Sequence, residues 1–312
     1  SLLGKYLALI PGLNLIGALV IAMIIGMLAQ LIQPMMYAST QGVSFISNKF
    51  LRLGIILLGF KLNLIDLAKS GVKTIVFAIV VVCFASAVTY GFCRLFKVEK
   101  ELSLLTSFGG AICGAAAVMG ISPQVKAHKD NSVLAVAVVC IMGTIFTLIE
   151  IFLMGVLHFT PTQFGVLAGS SLHEIAHAVA AGGAGGAVAL NNAIIMKLSR
   201  VILLAPVALI VGILYNRRHQ AADNTKQKLP IPWFMVGFLA TSAFGTFGPL
   251  SQGMVTNLVS LAYICLGMAM AALGMSVNFK VIIARGRNVF LASFLGSTCL
   301  LALSLITVFV FF

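Results

Sequence analysis

The sequence predicts an all-α polytopic membrane protein, one transmembrane domain over residues 1–312, and two observations carry that prediction. Only 9% of the 312 residues are charged while 61% are hydrophobic, with a mean hydropathy of +1.12; a soluble domain carries about 25% charged residues because its surface faces water. The apolar residues also fall in blocks near 20 residues long, the length at which a helix crosses a hydrocarbon core of about 30 Å. A soluble enzyme, a secreted disulfide scaffold and a nucleic-acid binder are excluded.

About ten transmembrane helices follow in order. The first block, Leu13 to Leu31, lies between Pro11 and Pro34, residues that suit helix starts and exclude themselves from interiors. The second, Phe50 to Leu64, is short and holds Gly54 and Gly59; the third runs from Val72 to Phe92, the fourth from Leu102 to Ile121, and the fifth, Val133 to Leu157, is the most continuous. The sixth, Phe164 to Ala181, is interrupted by small and polar residues, and the seventh, Ala193 to Tyr215, contains Pro206, where a kink is expected. After the hydrophilic loop Asn216 to Leu229 come Ile231 to Phe247, Val255 to Val277 and Val289 to Phe311. The abrupt start SLLGKYLALI reads as the tail of an eleventh helix missing upstream, and it has no signal-peptide pattern.

The balance of 20 Lys+Arg against 7 Asp+Glu is topological, since the cations cluster between apolar blocks as the positive-inside rule requires. With every block crossing, twelve cations fall on one side and eight on the other: Lys5, Lys61, Lys69, Lys73, Lys126, Lys129, Lys197 and Arg200. The twelve-residue side is then cytoplasmic and Ser1 is outside; if the sixth block does not cross, everything after it flips. The six cysteines contain no CxxC pair and read as small reduced packing residues.

Two segments are wrong for lipid-facing helices. One is the stretch from Ser107 to Val118, containing Gly109, Gly110, Cys113 and Gly114; the other runs from Gly165 to Gly183 and contains Gly169, Ser170, Ser171, His173 and Glu174. Paired glycines serve close helix packing, or they allow a helix to unwind at mid-membrane, leaving free N–H groups that face an anionic substrate in many secondary transporters. His173 and Glu174 are ionisable groups inside an apolar block, which mark ion paths, proton relays or binding sites. Glu150, near the end of the fifth block, reads as interfacial or structural rather than functional.

The same segment spells HEIAH from His173 to His177, a pattern that places two zinc-binding imidazoles on one helix face with Glu as general base. An intramembrane protease also needs a third ligand, and neither Asp130, Glu150 nor Asp223 sits in a ligand motif, so zinc proteolysis is a distant alternative and no metal is expected. Lys197 and Arg200, three apart on one helix face, serve either as interfacial anchors or as groups that select an oxyanion. Leu53–Asn63 echoes Leu266–Asn278, with Gly-x-x-x-Asn ending both, which an inverted repeat would explain.

GGAICGAAAV at 109–118, HEIAHAVAAG at 173–182, KLSRVILLAP at 197–206, IPWF at 231–234 and AMAALGM at 269–275 together resemble the YeiH-like family of sulfate exporters, over nearly the whole chain. The resemblance implies a multi-pass protein of the bacterial cytoplasmic (inner) membrane related to inverted-repeat secondary transporters, with sulfate or a related sulfur oxyanion or sulfonate as substrate. The second His of HEIAH is usually Gln in that family, so His177 departs from its pattern. The expectation is a non-enzymatic exporter of a small anion, without cofactor. Ser107, Gly109, Gly110, Cys113, Gly114, Ser170, Ser171, His173, Lys197 and Arg200 would bind substrate, and Glu174 with His173 would carry a coupling proton. A Na⁺- or H⁺-coupled carrier or cation antiporter is the alternative. The lipid bilayer is the surrounding partner, a homodimer is compatible, and no nucleic acid is involved.

Overall fold

The computed structural model describes residues 18–29, 42–43, 45–61, 64–65, 71–220, 233–275 and 279–312. Lys5, Pro11, Pro34, Lys69, Asp223, the middle of the hydrophilic loop and the asparagines of the glycine echo lie outside these residues. The described chain is helical, without strands. Helix α1 is Ala18–Ala29; a π-helical turn at Ile46–Phe50 leads into α2, Leu51–Leu58, and a 3-10 turn at Gly59–Lys61. Then come α3 (Gly71–Leu95), α4 (Lys100–Ala111), α5 (Ala115–Ile121), α6 (Lys129–Leu157), α7 (Pro161–Ser171), α8 (Ile175–Ala184), α9 (Ala187–Ile202), α10 (Leu204–Gln220), α11 (Trp233–Phe247), α12 (Gln252–Met275) and α13 (Phe279–Phe311).

Among the described residues, five spans are long and apolar enough to cross a membrane: Gly71–Leu95, Asp130–Leu157, Ala187–Tyr215, Gln252–Ala269 and Gly286–Phe311. The third joins α9 and α10 through Leu203, a turn residue that stays in the right-handed helical region (φ −67°, ψ −13°) three residues before Pro206. Pro206 has no N–H to give the Ile202 carbonyl, so the helical hydrogen-bond ladder is interrupted one turn before the proline, where a kink is expected.

The fourth and sixth apolar blocks do not cross as single helices. Each breaks where its glycines and polar residues predict, at Ile112–Gly114 and at Leu172–Glu174, and each then turns back on itself. At the base of the first hairpin, the Glu101 carboxylate at the start of α4 accepts from the His128 backbone N–H and the Asn131 side chain, both at 3.2 Å, at the start of α6. Val118 on α5 has returned to pack on Gly109 of α4. In the second hairpin, Gly185, just past α8, lies against the Phe164 ring near the start of α7. Gly165 and Gly169 let α7 run parallel to α9, against the backbones of Ala189 and Ala193. Two re-entrant helical hairpins therefore replace two of the ten expected crossings. Irregular backbone at that depth is tolerated only because protein covers it.

The hairpins enter from opposite faces. The first is based at the start of α6, the second follows its end, and 29 residues of helix separate these points by roughly 43 Å. The second opens with a full capping box: Gln163 N–H donates to Thr160 Oγ1 at 3.2 Å, Thr160 N–H donates to Gln163 Oε1 at 3.0 Å, and Pro161 opens the helix. Around them α3, α6, α9 and α13 form the walls, with α3 flanking the first hairpin and α13 touching both. Helices α1, α2, α11 and α12 pack mainly among themselves as a second bundle; Gly26 lies on the Ala271 backbone, and Gly59 on that of Phe238 and Ser242.

Because both hairpins return to the face they left, the two flips cancel. Lys126 and Lys129, at the base of the first hairpin, share the face of Arg94, Lys97 and Lys100, while Lys73 begins α3 at the other. Lys197 and Arg200 belong to neither face, being fully buried. The positive-inside rule then places the base of the first hairpin in the cytoplasm.

Candidate functional site

The tips of the two hairpins meet beside the middle of α6, and Arg200 of α9 lies between them. Its Nε donates to the Ala111 carbonyl at 2.9 Å and its Nη2 to Gly110 and Ala111 at 2.9 and 2.5 Å, at the C-terminal end of α4. Its Nη1 donates to Ser170 at 2.6 Å, Leu172 at 3.0 Å and Gly169 at 3.3 Å, at the C-terminal end of α7. Lys197, one turn earlier, donates to the Leu172 carbonyl. Last-turn carbonyls have no partner within their helix and form the negative end of its dipole, so one guanidinium and one ammonium close two helix ends that water does not reach.

The break in the first hairpin is set by Gly114, at φ +71° and ψ −131°, a conformation that a Cβ disfavours. A side chain there would also collide with Glu174. Glu174 extends from the second tip to the first, where its Oε1 accepts from the Ala115 backbone N–H at 3.3 Å and from Cys140 Sγ at 3.1 Å. Its other oxygen has no partner among the described residues.

Helix α6 presents a polar stripe to the tips, Cys140, Thr144, Thr147 and Glu150, at helical spacing along one face. Thr144 Oγ1 lies 3.3 Å from His177 Nε2, and Gly143 leaves the space that the His177 ring fills. Glu150 is fully buried and accepts from Ser171 Oγ, with Oε2 unpartnered. His173 pairs through Nε2 with Ser297 of α13 at 2.8 Å and lies beside Phe146, while its Nδ1, like that of His177, has no partner among the described residues.

The structure thus gathers Gly110, Cys113, Gly114, Ser170, Ser171, His173, Glu174, Lys197 and Arg200 at the crossing. Ser107 and Gly109 sit farther back on α4. The hydroxyls of Ser107 and Ser170 donate to their own helices, at Leu104 and Leu167, both at 3.0 Å. The donors of Arg200 likewise point at backbone carbonyls. Glu150 was read as interfacial or structural; it lies in the interior, within the cluster. Its signal was present in the polar stripe at positions 140, 144, 147 and 150 of an otherwise apolar block, as were Cys140 and Thr144.

The HEIAH stretch lacks the geometry of a zinc helix. That motif needs both imidazoles on one continuous helical face, but His173 lies in the break and pairs with α13, whereas His177 lies on α8 and faces α6. Among the described residues no three His, Cys, Asp or Glu side chains converge as a ligand set.

Two opposed re-entrant hairpins closing on buried ionisable groups inside a bundle of apolar spans define an integral membrane protein with an interior polar site. The chain belongs to the family described as Conserved hypothetical protein 698, which it matches over residues 1–293, and the YeiH-like resemblance is consistent with that membership. It is 53% identical to a UPF0324 membrane protein of Lactobacillus johnsonii, covering all of this chain and 94% of the relative. It is 46% identical to a UPF0324 membrane protein of Bacillus anthracis (99% and 91% covered) and 46% to one of Bifidobacterium longum (100% and 92%). No solved structure matches it. It is a multi-pass bacterial membrane protein.

Proposed function

We propose that the protein is a secondary transporter of a small anion, with proton coupling at the crossing of the hairpin tips. The observation that supports this most directly is the charge inventory there: two cations, Lys197 and Arg200, and two carboxylates, Glu150 and Glu174, all at most 5% exposed. A buried site disfavours any uncompensated charge. An anion admitted to this cluster is therefore best accommodated when a carboxylate gives up its own charge by taking a proton. Glu174 is the first candidate, because its carboxylate already occupies the backbone N–H of Ala115 at the opposite tip. Glu150 is the second, because one of its oxygens is free. In this reading Lys197 and Arg200 act by holding the tips and by their charge, since their hydrogen bonds go to backbone. Sulfate and related sulfur oxyanions are the substrates to try first, and export the direction.

The test is flux in proteoliposomes with sulfate, sulfite, sulfonates and carboxylates, with and without an imposed pH gradient. Saturable flux of one anion that responds to the gradient is expected, and Glu174→Gln should remove the response while Glu150→Gln weakens it. Gradient-responsive anion flux that is unchanged in Glu174→Gln refutes the coupling role. Sodium-dependent flux at fixed pH would favour the cation-coupled alternative.

A further inference from the structure

We propose that the groove between α6 and α13 at the basic face is a binding site for an anionic phospholipid. The groove has a volume of about 390 Å³ and is lined by Leu134, Val138 and Ile141 of α6 and by Arg287, Phe290 and Leu291 of α13, within the size range of ligand sites. It opens on the outer wall of the bundle, where two long apolar helices face the bilayer, so an acyl chain is the occupant that its walls fit.

Charge complementarity selects the headgroup. Arg287 is the one cation in the lining, and it stands about two turns inside α13, at the head of the apolar span Gly286–Phe311 and so at the depth of the lipid phosphates. The neighbouring Asn288 donates to the Phe96 carbonyl at 3.0 Å, which ties the third turn of α13 to the turn between α3 and α4. That turn is rigid. Lys97 holds φ +59°, Val98 N–H donates to the Cys93 carbonyl at 2.8 Å, and Arg94 donates to the Val98 carbonyl at 2.5 Å. Arg94, Lys97 and Lys100 are all exposed there, beside Arg287. Among the described residues the acids on this face are Glu99, Asp130 and Glu101, and the Glu101 carboxylate is taken up by His128 and Asn131. Positive charge remains in excess around the mouth of the groove. Basic pockets between transmembrane helices on the cytoplasmic side take anionic headgroups by this logic, and the face carrying this groove is the one that the positive-inside rule assigns to the cytoplasm. A zwitterionic lipid offers the same phosphate but carries a cation of its own toward Arg94 and Lys97, so the site discriminates by net headgroup charge.

A second apolar groove, of about 310 Å³, lies between α3 and α13 at the opposite face, with Lys73 in its lining. Among the described residues it has no comparable cluster of exposed cations beside it, and it serves as the internal control.

The experiment measures lipid retained by the full chain, purified in a mild detergent. The protein is offered dioleoyl-phosphatidylglycerol or dioleoyl-phosphatidylcholine, and native mass spectrometry counts the adducts. The wild type should retain phosphatidylglycerol in preference to phosphatidylcholine. Arg287→Gln should lower phosphatidylglycerol retention about fivefold, the weight of one cation near an anionic headgroup, and leave phosphatidylcholine unchanged. Ile141→Trp, which fills the groove from its exposed rim, should lower both, and Lys73→Gln should alter neither. Arg287 and Ile141 are exposed, so both variants keep the fold, and an unchanged thermal transition verifies it. Equal retention of the two lipids by the wild type, or wild-type retention of phosphatidylglycerol by Arg287→Gln, overturns the proposal.

Discussion

Replacing Arg200 by Met keeps an unbranched side chain of similar reach and removes the charge and every donor. Five carbonyls lose a partner at once: Gly110, Ala111, Gly169, Ser170 and Leu172. A hydrogen bond to a charged group contributes about 1.5–3 kcal/mol, and six such bonds taken singly would exceed the net stability of most proteins. Burying a guanidinium costs several kcal/mol, however, and that cost disappears with the charge. The difference is about 3–5 kcal/mol, the usual consequence of removing one partner from a buried charged contact. At roughly 2–4 °C per kcal/mol, the thermal transition should fall by about 6–20 °C. The protein carries its own reporters, since Cys93, Cys113, Cys140 and Cys265 are buried free thiols that a thiol-reactive fluorophore labels only on unfolding. Arg200→Lys, which keeps the charge but not the planar fork, should lie between the two. A transition for Arg200→Met within about 2 °C of wild type, less than 1 kcal/mol on that scale, would show that the guanidinium does not hold the hairpin ends together.

Two further outcomes follow from local geometry. Gly114→Ala places a Cβ on a residue at φ +71° and against Glu174; about 1–3 kcal/mol of backbone strain should lower the thermal transition and, in flux measurements, shift the pH response along with the displaced carboxylate. Thr160→Ala removes the hydroxyl half of the capping box at the base of the second hairpin and should cost about 1 kcal/mol, seen in the same thermal assay without any change in pH response.

The long spans were legible because length and apolarity are sufficient to specify them. The two breaks were legible as well, because Gly109, Gly110 and Gly114, and the polar run Ser170 to Glu174, are poor residues for a lipid-facing helix. What the blocks did not disclose is that the chain reverses at each break. Ile112–Gly114 reads the same in a straight broken helix and in a hairpin; only distant contacts such as Glu101 with Asn131, or Gly185 with Phe164, separate the two. The cations at 197 and 200 were recognisable as unusual, but their partners are backbone carbonyls, which leave no mark in a sequence. The position of Glu150 near the end of its block suggests an interfacial or structural residue, whereas the periodic Cys140, Thr144 and Thr147 on the same face mark it as part of an interior polar stripe.

Arg200 also dictates an order of events during synthesis. Both hairpins leave the ribosome before residue 200, and their arms of 12 and 11 residues are too short to cross the bilayer alone. Until α9 follows them, the carbonyls at the ends of α4 and α7 have no internal donor, and hydrocarbon offers them none. The hairpin tips therefore have their end carbonyls satisfied in the interior only once α9 supplies its guanidinium and ammonium. A chain halted before α9 would hold α3 and α6 as spans with both hairpins undocked, so the interior of this protein is completed by one of its later helices.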